Sequence, residues 1–210
     1  MNSIVDNAIL NFDKALRTLV RNASVAKRPS PALSHSESQL TSNERQHSIG
    51  LMRINHTGEV CAQGLYMGQA LTAKLATVRE QMDHAAEEEI DHLVWCEQRL
   101  NELGGRTSYL NPFFFSASFT IGAAAGLISD KLSLGFVAAT EDQVCLHIEK
   151  HLAGLPDKDL RSKAVLEQMH KDEAEHKKLA LDSGGYQFPQ PIMSAMTTIS
   201  KVMTTSTYRI

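Results

Sequence analysis

Apolar positions recur at helical spacing along most of the chain. In the first twenty residues Ile4, Val5, Ala8, Ile9, Phe12, Leu16, Leu19 and Val20 gather on one face of an amphipathic helix. Residues 27–43 break the pattern: Pro29, Ser30, Pro31, Ser34, Ser36, Ser38 and Ser42 read as a linker or extended loop. Helical spacing resumes over 44–75 and again over 77–103, where Gly104 and Gly105 stop it. Further helices are predicted over 131–154, over 159–183 before Gly184 and Gly185, and over 192–210 after Pro189 and Pro191. No strand-like alternation persists anywhere. The pattern predicts an all-α fold, with a helix and linker over 1–43 and a single domain over 44–210.

The stretch 107–129 carries no charge and includes Phe113, Phe114, Phe115 and Phe119. Residues 112–128 would form a helix about 26 Å long, at the lower limit for crossing a bilayer. A bundle built from two helical hairpins needs one long crossover, and 104–130 stands where that connection belongs. Gly122, Gly126 and the alanines between them suit close helix packing. A crossover helix with one face on the bundle and the other in the lipid interface is therefore expected, attached peripherally rather than spanning.

Composition narrows the setting. The 210 residues suit one compact domain, and the net charge of −3 gives no reason to expect a nucleic-acid partner. Cys61, Cys96 and Cys145 form no CxxC pair, and no secretory signal pattern precedes them, which fits free thiols in a reducing compartment. A bacterial cytoplasmic setting is the simplest expectation.

Four Glu-x-x-His pairs occur: Glu44-His47, Glu89-His92, Glu167-His170 and Glu173-His176. Residues three apart share a helix face, so such a pair can grip one ion. Phase separates them. Glu173 and His176 share a stripe with Val165, Leu166, Met169 and Ala180; Glu89 and His92 share one with Met82, Ala86, Leu93, Cys96 and Leu100. Glu167-His170 lies on a lysine-rich stripe, and Glu44-His47 borders the linker. On each preceding helix one further glutamate lies on an apolar stripe, Glu59 before the first pair and Glu141 before the second. Counting along each hairpin returns the carboxylates to nearly the level of their partners. Two single glutamates and two Glu-x-x-His pairs form the ligand set of ferritin-like di-iron or di-manganese bundles. Four carboxylates balance two divalent ions, and an oxygen and imidazole donor set suits iron or manganese.

Metal-bound imidazoles usually donate their second N–H to an acceptor. Glu88 and Asp172 directly precede the paired glutamates, and each is expected to support the histidine of the opposite hairpin, Asp172 toward His92 and Glu88 toward His176. Tyr66 follows Glu59 by two turns and reads as core packing or pocket lining. His56 reads as a satisfied core histidine, His147 and His151 as edge or surface residues, and the cysteines as small apolar side chains.

The segments Arg53-Ile54-Asn55-His56-Thr57-Gly58-Glu59, Glu87-Glu88-Glu89-Ile90-Asp91-His92, Glu141-Asp142 and Asp172-Glu173-Ala174-Glu175-His176 resemble the demethoxyubiquinone hydroxylases of ubiquinone biosynthesis. The resemblance covers about residues 45–210, and its NHTGE segment is the most specific part. It implies two iron ions per chain held by Glu59, Glu89, His92, Glu141, Glu173 and His176, with Glu89 and Glu173 bridging. It further implies O₂-dependent hydroxylation of a polyprenylated methoxy-benzoquinol, at the cytoplasmic side of a bacterial membrane, with an unidentified electron donor and possible partners in a biosynthetic complex. The first 40 residues exceed the family pattern and receive no role in chemistry. The alternatives are a ferritin-like iron-storage protein, a peroxide-reducing di-iron protein, which usually has a rubredoxin-like CxxC companion absent here, and a metal-free membrane scaffold that would leave six buried ionisable groups unexplained.

Overall fold

Seven α-helices and one short 3₁₀ turn make up the described residues, 4–210, of the computed structural model, and no strand occurs among them. The helices are α1 (Ile4–Leu19), α2 (Ser42–Thr72), α3 (Ala76–Glu102), α4 (Asn111–Ile128), α5 (Asp130–Gly154), α6 (Leu160–Asp182) and α7 (Gln190–Thr207); the turn is Pro31–Ser34. The side chains of Ile4, Val5, Asn7 and Ala8 lie outside the described set, so that part of the N-terminal apolar face does too.

Local chemistry explains the boundaries. Thr41 and Glu44 form a reciprocal capping box that opens α2 two residues earlier than the periodicity predicts. Ser129 caps α5 through the amide of Leu132, and Asp159 caps α6 through that of Ser162. Gly104 and Gly184 end α3 and α6 with φ of 73° and 93°, a left-handed conformation that favours glycine.

α2 with α3 and α5 with α6 form two antiparallel hairpins that pack as a four-helix bundle, and α4 is the crossover between them. Asp130, the first residue of α5, accepts from the amides of Lys74 and Leu75 at 2.9 Å each and so pins the first hairpin's turn to the start of the second. The crossover runs back along α2 in close contact. Gly64 and Gly68 on α2 face the α4 backbone at Phe115 and Phe119, and Gly122 and Gly126 on α4 face Leu65 and Gln69–Thr72 on α2. A β-carbon at Gly64 would lie 2.6 Å from the Phe115 carbonyl oxygen, so this spacing requires glycine.

Two findings depart from the sequence reading, which takes Phe113, Phe114 and Phe115 together as the lipid-facing start of the crossover and 27–43 as a linker. Phe115 is buried with Val60, Met67 and Leu93, whereas Phe113 is exposed. The segment read as a linker is extended, yet Ala32 and Leu40 are buried in the core around Met52, Trp95, Leu100 and Leu166. That core fills one end of the bundle. A second, around Tyr66, Met82, Val137 and Ala138, fills the other, and the ionisable cluster sits between them.

Candidate metal centre

Glu59, Glu89, His92, Glu141 and Glu173 are each at most 3 % exposed. Ligand atoms of Glu59, Glu89, His92 and Glu173 lie within 4.8 Å of one another. His176 joins them, its Nδ1 3.0 Å from Glu89 and 3.2 Å from Glu173. Glu141 completes the ring from α5, held by the hydroxyl of Tyr66, which donates to its Oε1. Helix spacing puts each Glu-x-x-His pair on one face, and cross-helix hydrogen bonds set the register. Gln63 donates to the Ala86 carbonyl at 2.5 Å, tying α2 to α3, and Gln69 donates to Ser133 at 2.9 Å, tying α2 to α5.

Both imidazoles face carboxylates on both nitrogens. His92 Nδ1 is 3.0 Å from Glu89 and 3.0 Å from Glu173, while its Nε2 is 2.9 Å from Asp172. His176 turns Nδ1 toward the same two glutamates and Nε2 to Glu88 at 2.9 Å. The supports are thus crossed between hairpins as the sequence predicts. They are also unequal, because the Asp172 side chain is 14 % exposed and that of Glu88 44 %.

The electrostatics follow from crowding acids in a dry space. Burial, reinforced by Glu89 and Glu173, pushes Glu59 well above the usual carboxylate range. Burial with Glu173 and Glu89 does the same to Glu141. Burial opposes ionisation of Glu89 too, but His92 and His176 overcome it and take the group well below the usual range. Burial would lower both histidines, yet the surrounding carboxylates raise His92 well above its ordinary value and push His176 up to about 12. For Asp172, burial is outweighed by hydrogen bonds from His92, Arg28 and Gln168, which hold it at about 2.

The donor set fits a divalent pair. Glu89 Oε1 is buried without a hydrogen bond, although His176 Nδ1 is 3.0 Å away, because the approach lacks hydrogen-bond direction. A carboxylate oxygen left in this state inside a ring of acids is what a cation would satisfy. Four carboxylates and two imidazoles suit iron or manganese, and two such ions would neutralise the charge.

The remaining candidates separate as phase predicts, with one correction. Glu167 is exposed and His170 bonds Glu149 at the surface. Glu44 is spent on its cap, and His47 bonds Tyr208 and the Gly154 carbonyl. His56 is buried beside Asn111, and burial lowers it to about 3. His151 is not at the surface: it is buried and paired with Asn55 at 3.1 Å. The three cysteines are free, with Cys96 buried against Met169. Sequence reasoning missed Asp91 and Arg28, which support Asp172 and are joined only by the tertiary fold.

A cavity of about 90 Å³ reaches the cluster between α3, α5 and α6, lined by Tyr66, Met82, Ala85, Val137, His176 and Leu179. Its walls are mainly apolar and Glu88 stands at its edge. The exposed Phe113, Ile121, Leu127 and Ile128 lie on the outer face of α4.

The comparisons agree with this geometry. The family model described as ubiquinone biosynthesis protein COQ7 matches residues 46–207. The 3-demethoxyubiquinol 3-hydroxylase of Marinomonas sp. (strain MWYL1) is 69% identical over 100% of this chain and 100% of its own length. That of Ectopseudomonas mendocina (strain ymp) is 59% identical over 99% of this chain and 97% of its own. Among solved structures, a dodecameric thioferritin, the bacterioferritin-related protein from Bacteroides fragilis, aligns with a TM-score of 0.54 at 20% identity, over 66% of this chain and 84% of its own. That likeness establishes a ferritin-like fold. The chain belongs to the COQ7 family of ubiquinone biosynthesis proteins.

Proposed function

We propose that this chain is a di-iron monooxygenase that hydroxylates a polyprenylated methoxy-benzoquinol, converting 3-demethoxyubiquinol to demethylubiquinol. The observation that carries the reading is the buried ring of four glutamates and two histidines opening onto an apolar cavity, in a chain whose full-length relatives carry the name 3-demethoxyubiquinol 3-hydroxylase. Glu59, Glu89, His92, Glu141, Glu173 and His176 would hold the two ions, which when bound supply the site of O₂ reduction. One oxygen atom enters the ring and the other leaves as water, with two electrons and two protons from a reductant outside the chain.

The chain's own residues set the conditions. Asp172 and Glu88 hold the imidazoles with Nδ1 inward. Tyr66 fixes Glu141 and forms the inner wall of the cavity, where an aromatic ring can enter and exclude water.

A polyprenyl quinol resides in the bilayer, so the enzyme meets it there. The apolar outer face of α4 and the exposed Ile9, Leu10, Phe12 and Leu16 of α1 support peripheral attachment to a membrane surface. By length and composition α4 could cross a membrane. Its backbone contact with α2, which buries Arg53, His56 and Glu59, argues that it lies along the bundle instead.

The test uses iron-loaded protein in quinol-containing liposomes, with a chemical reductant and O₂, and measures the hydroxylated quinol. A preparation that oxidises iron repeatedly but never oxygenates the quinol would assign the chain to iron storage.

A further inference from the structure

The segment that precedes the bundle reaches the metal centre. Its backbone is fixed on α3 at three points: the amide of Asn22 donates to Glu97 at 3.0 Å, that of Lys27 to Asp91 at 2.6 Å, and the Trp95 indole to the Arg28 carbonyl at 3.2 Å. From this anchorage the Arg28 guanidinium lies 4.8 Å from the centre of the Trp95 ring and bridges two acids. Nε donates to Asp91 at 2.7 Å, and an Nη is 2.8 Å from Asp172 Oδ2, the oxygen that also receives His92 Nε2. The chain of contacts Asp91–Arg28–Asp172–His92 joins the extended segment, α3 and α6. Among the described residues nothing comparable stands behind Glu88, which meets His84 at 3.4 Å, itself 73 % exposed.

We infer that Arg28 is a positioning residue for the metal centre, and that through Asp172 it makes the His92 half of the centre rigid while the His176 half stays adjustable. The inference rests on the di-metal reading above. Asp91 and Asp172 are two carboxylates brought together on neighbouring helices, and the guanidinium between them, in contact with both, holds them in place. Asp172 is thereby held as the acceptor for Nε2–H, which leaves Nδ1 of His92 aimed at Glu59, Glu89 and Glu173. Glu88 can turn into solvent without breaking another ion pair of similar quality, and it borders the cavity together with His176. The half that can rearrange is therefore the half next to the substrate space.

The experiment is an anaerobic titration of the full-length, metal-free protein with Fe(II), comparing Arg28→Met, which keeps the aliphatic stem on Trp95, and Arg28→Lys with the parent. Each variant is made in the parent, in a His176→Ala background that keeps the His92 half, and in a His92→Ala background that keeps the other. Arg28→Met is expected to weaken the ion bound in the His176→Ala background by about 10- to 100-fold, as loss of a ligand's supporting partner typically does. The same substitution should leave affinity in the His92→Ala background within twofold, and Arg28→Lys should recover part of the loss. Glu88→Ala should show the reverse preference. Equal weakening in both backgrounds, or in neither, overturns the inference, and the circular dichroism of each variant separates positioning from misfolding. A parent protein that binds no Fe(II) overturns the di-metal reading as well, and so is distinguishable from failure of the Arg28 role alone.

Discussion

Loading the centre with metal should expel protons, and the geometry gives their number. In the metal-free chain each imidazole meets carboxylate oxygens on both nitrogens, at 2.9–3.2 Å, and these acids raise both rings above their ordinary value, which favours the cation. Burial and neighbouring acids keep Glu59 and Glu141 protonated well above the usual carboxylate range. One proton from each imidazolium and one from each of Glu59 and Glu141 make four, and four protons carry the same charge as two divalent ions. The exchange is electroneutral when about four protons leave for two ions, the natural outcome in a dry site. With about two protons per ion and about 1.36 kcal/mol per proton and pH unit, affinity should rise about 100-fold per unit over neutral pH. Folding stability of the metal-free chain should move the opposite way. Histidines raised above their unfolded value contribute stability that is full below about pH 6.5 and is lost as pH rises through their folded values, about 12 for His176. Glu59 and Glu141, also raised, add to the loss as they ionise. Anaerobic calorimetry with Fe(II) in two buffers of different ionisation enthalpy counts the protons. Three or four per pair of ions agrees with the geometry; two or fewer means that the cluster rests ionised and the argument fails.

Further expectations concern the ligands, the surface and the helix seam. Glu173→Ala should abolish most iron binding measured by metal analysis, whereas Glu167→Ala, on the exposed face of the same helix, should leave the content unchanged. Replacing exposed Phe113, Ile121 and Leu127 by serine should release the protein from liposomes in flotation assays while keeping its metal and melting temperature. Phe115→Ser, by contrast, should cost about 3–5 kcal/mol in denaturant unfolding, because that ring is buried under α2 and α3. Gly122→Val drives a β-carbon into the Leu65 carbonyl oxygen, a backbone atom that cannot turn aside, and should cost at least about 1–3 kcal/mol, lowering the melting temperature by about 2–4 °C per kcal/mol.

The bundle and its buried cluster of glutamates and histidines were legible because both are periodic. A stripe every three or four residues marks the buried face, and a glutamate or histidine on it is costly enough to need a reason. Glu88 and Asp172 were legible for the same cause, since a residue next to a ligand on a helix borders the ligand's neighbours. Irregular or uniformly apolar segments gave no comparable signal. α4 carries no charge and its few polar residues are small, so phase could not tell buried Phe115 from exposed Phe113. His151 lies off the Glu141 face, but that edge of α5 meets Asn55 on α2. Arg28 sits in an extended run with no periodicity, and its partners Asp91 and Asp172 lie more than sixty and more than a hundred positions away along the chain.

The two ends of the bundle divide stability from access, and this division explains how a fold can tolerate so many acids at its centre. At the end where α3 passes to α4 and α5 to α6, Arg99 is 1 % exposed and paired with Asp159 at 2.8 Å, Glu102 at 2.8 Å and Glu37 at 2.6 Å. There too Arg53 donates to the carbonyls of Arg106 and Tyr208, and Tyr208 bonds His47. Truncating one partner of such a buried pair costs about 3–5 kcal/mol, so this end resists opening. At the opposite end the hairpin turn is held chiefly by Asp130, and the cavity to His176 enters between α3, α5 and α6. The outer residues Leu127 and Ile128 of α4 and Leu71 and Leu75 of the hairpin are exposed at that same end. On the reading proposed above, an apolar substrate would enter there through a mainly apolar cavity with Glu88 at its edge. Opening at that end would break few ion pairs, while the buried pairs of the other end hold the six clustered glutamate and histidine side chains in register.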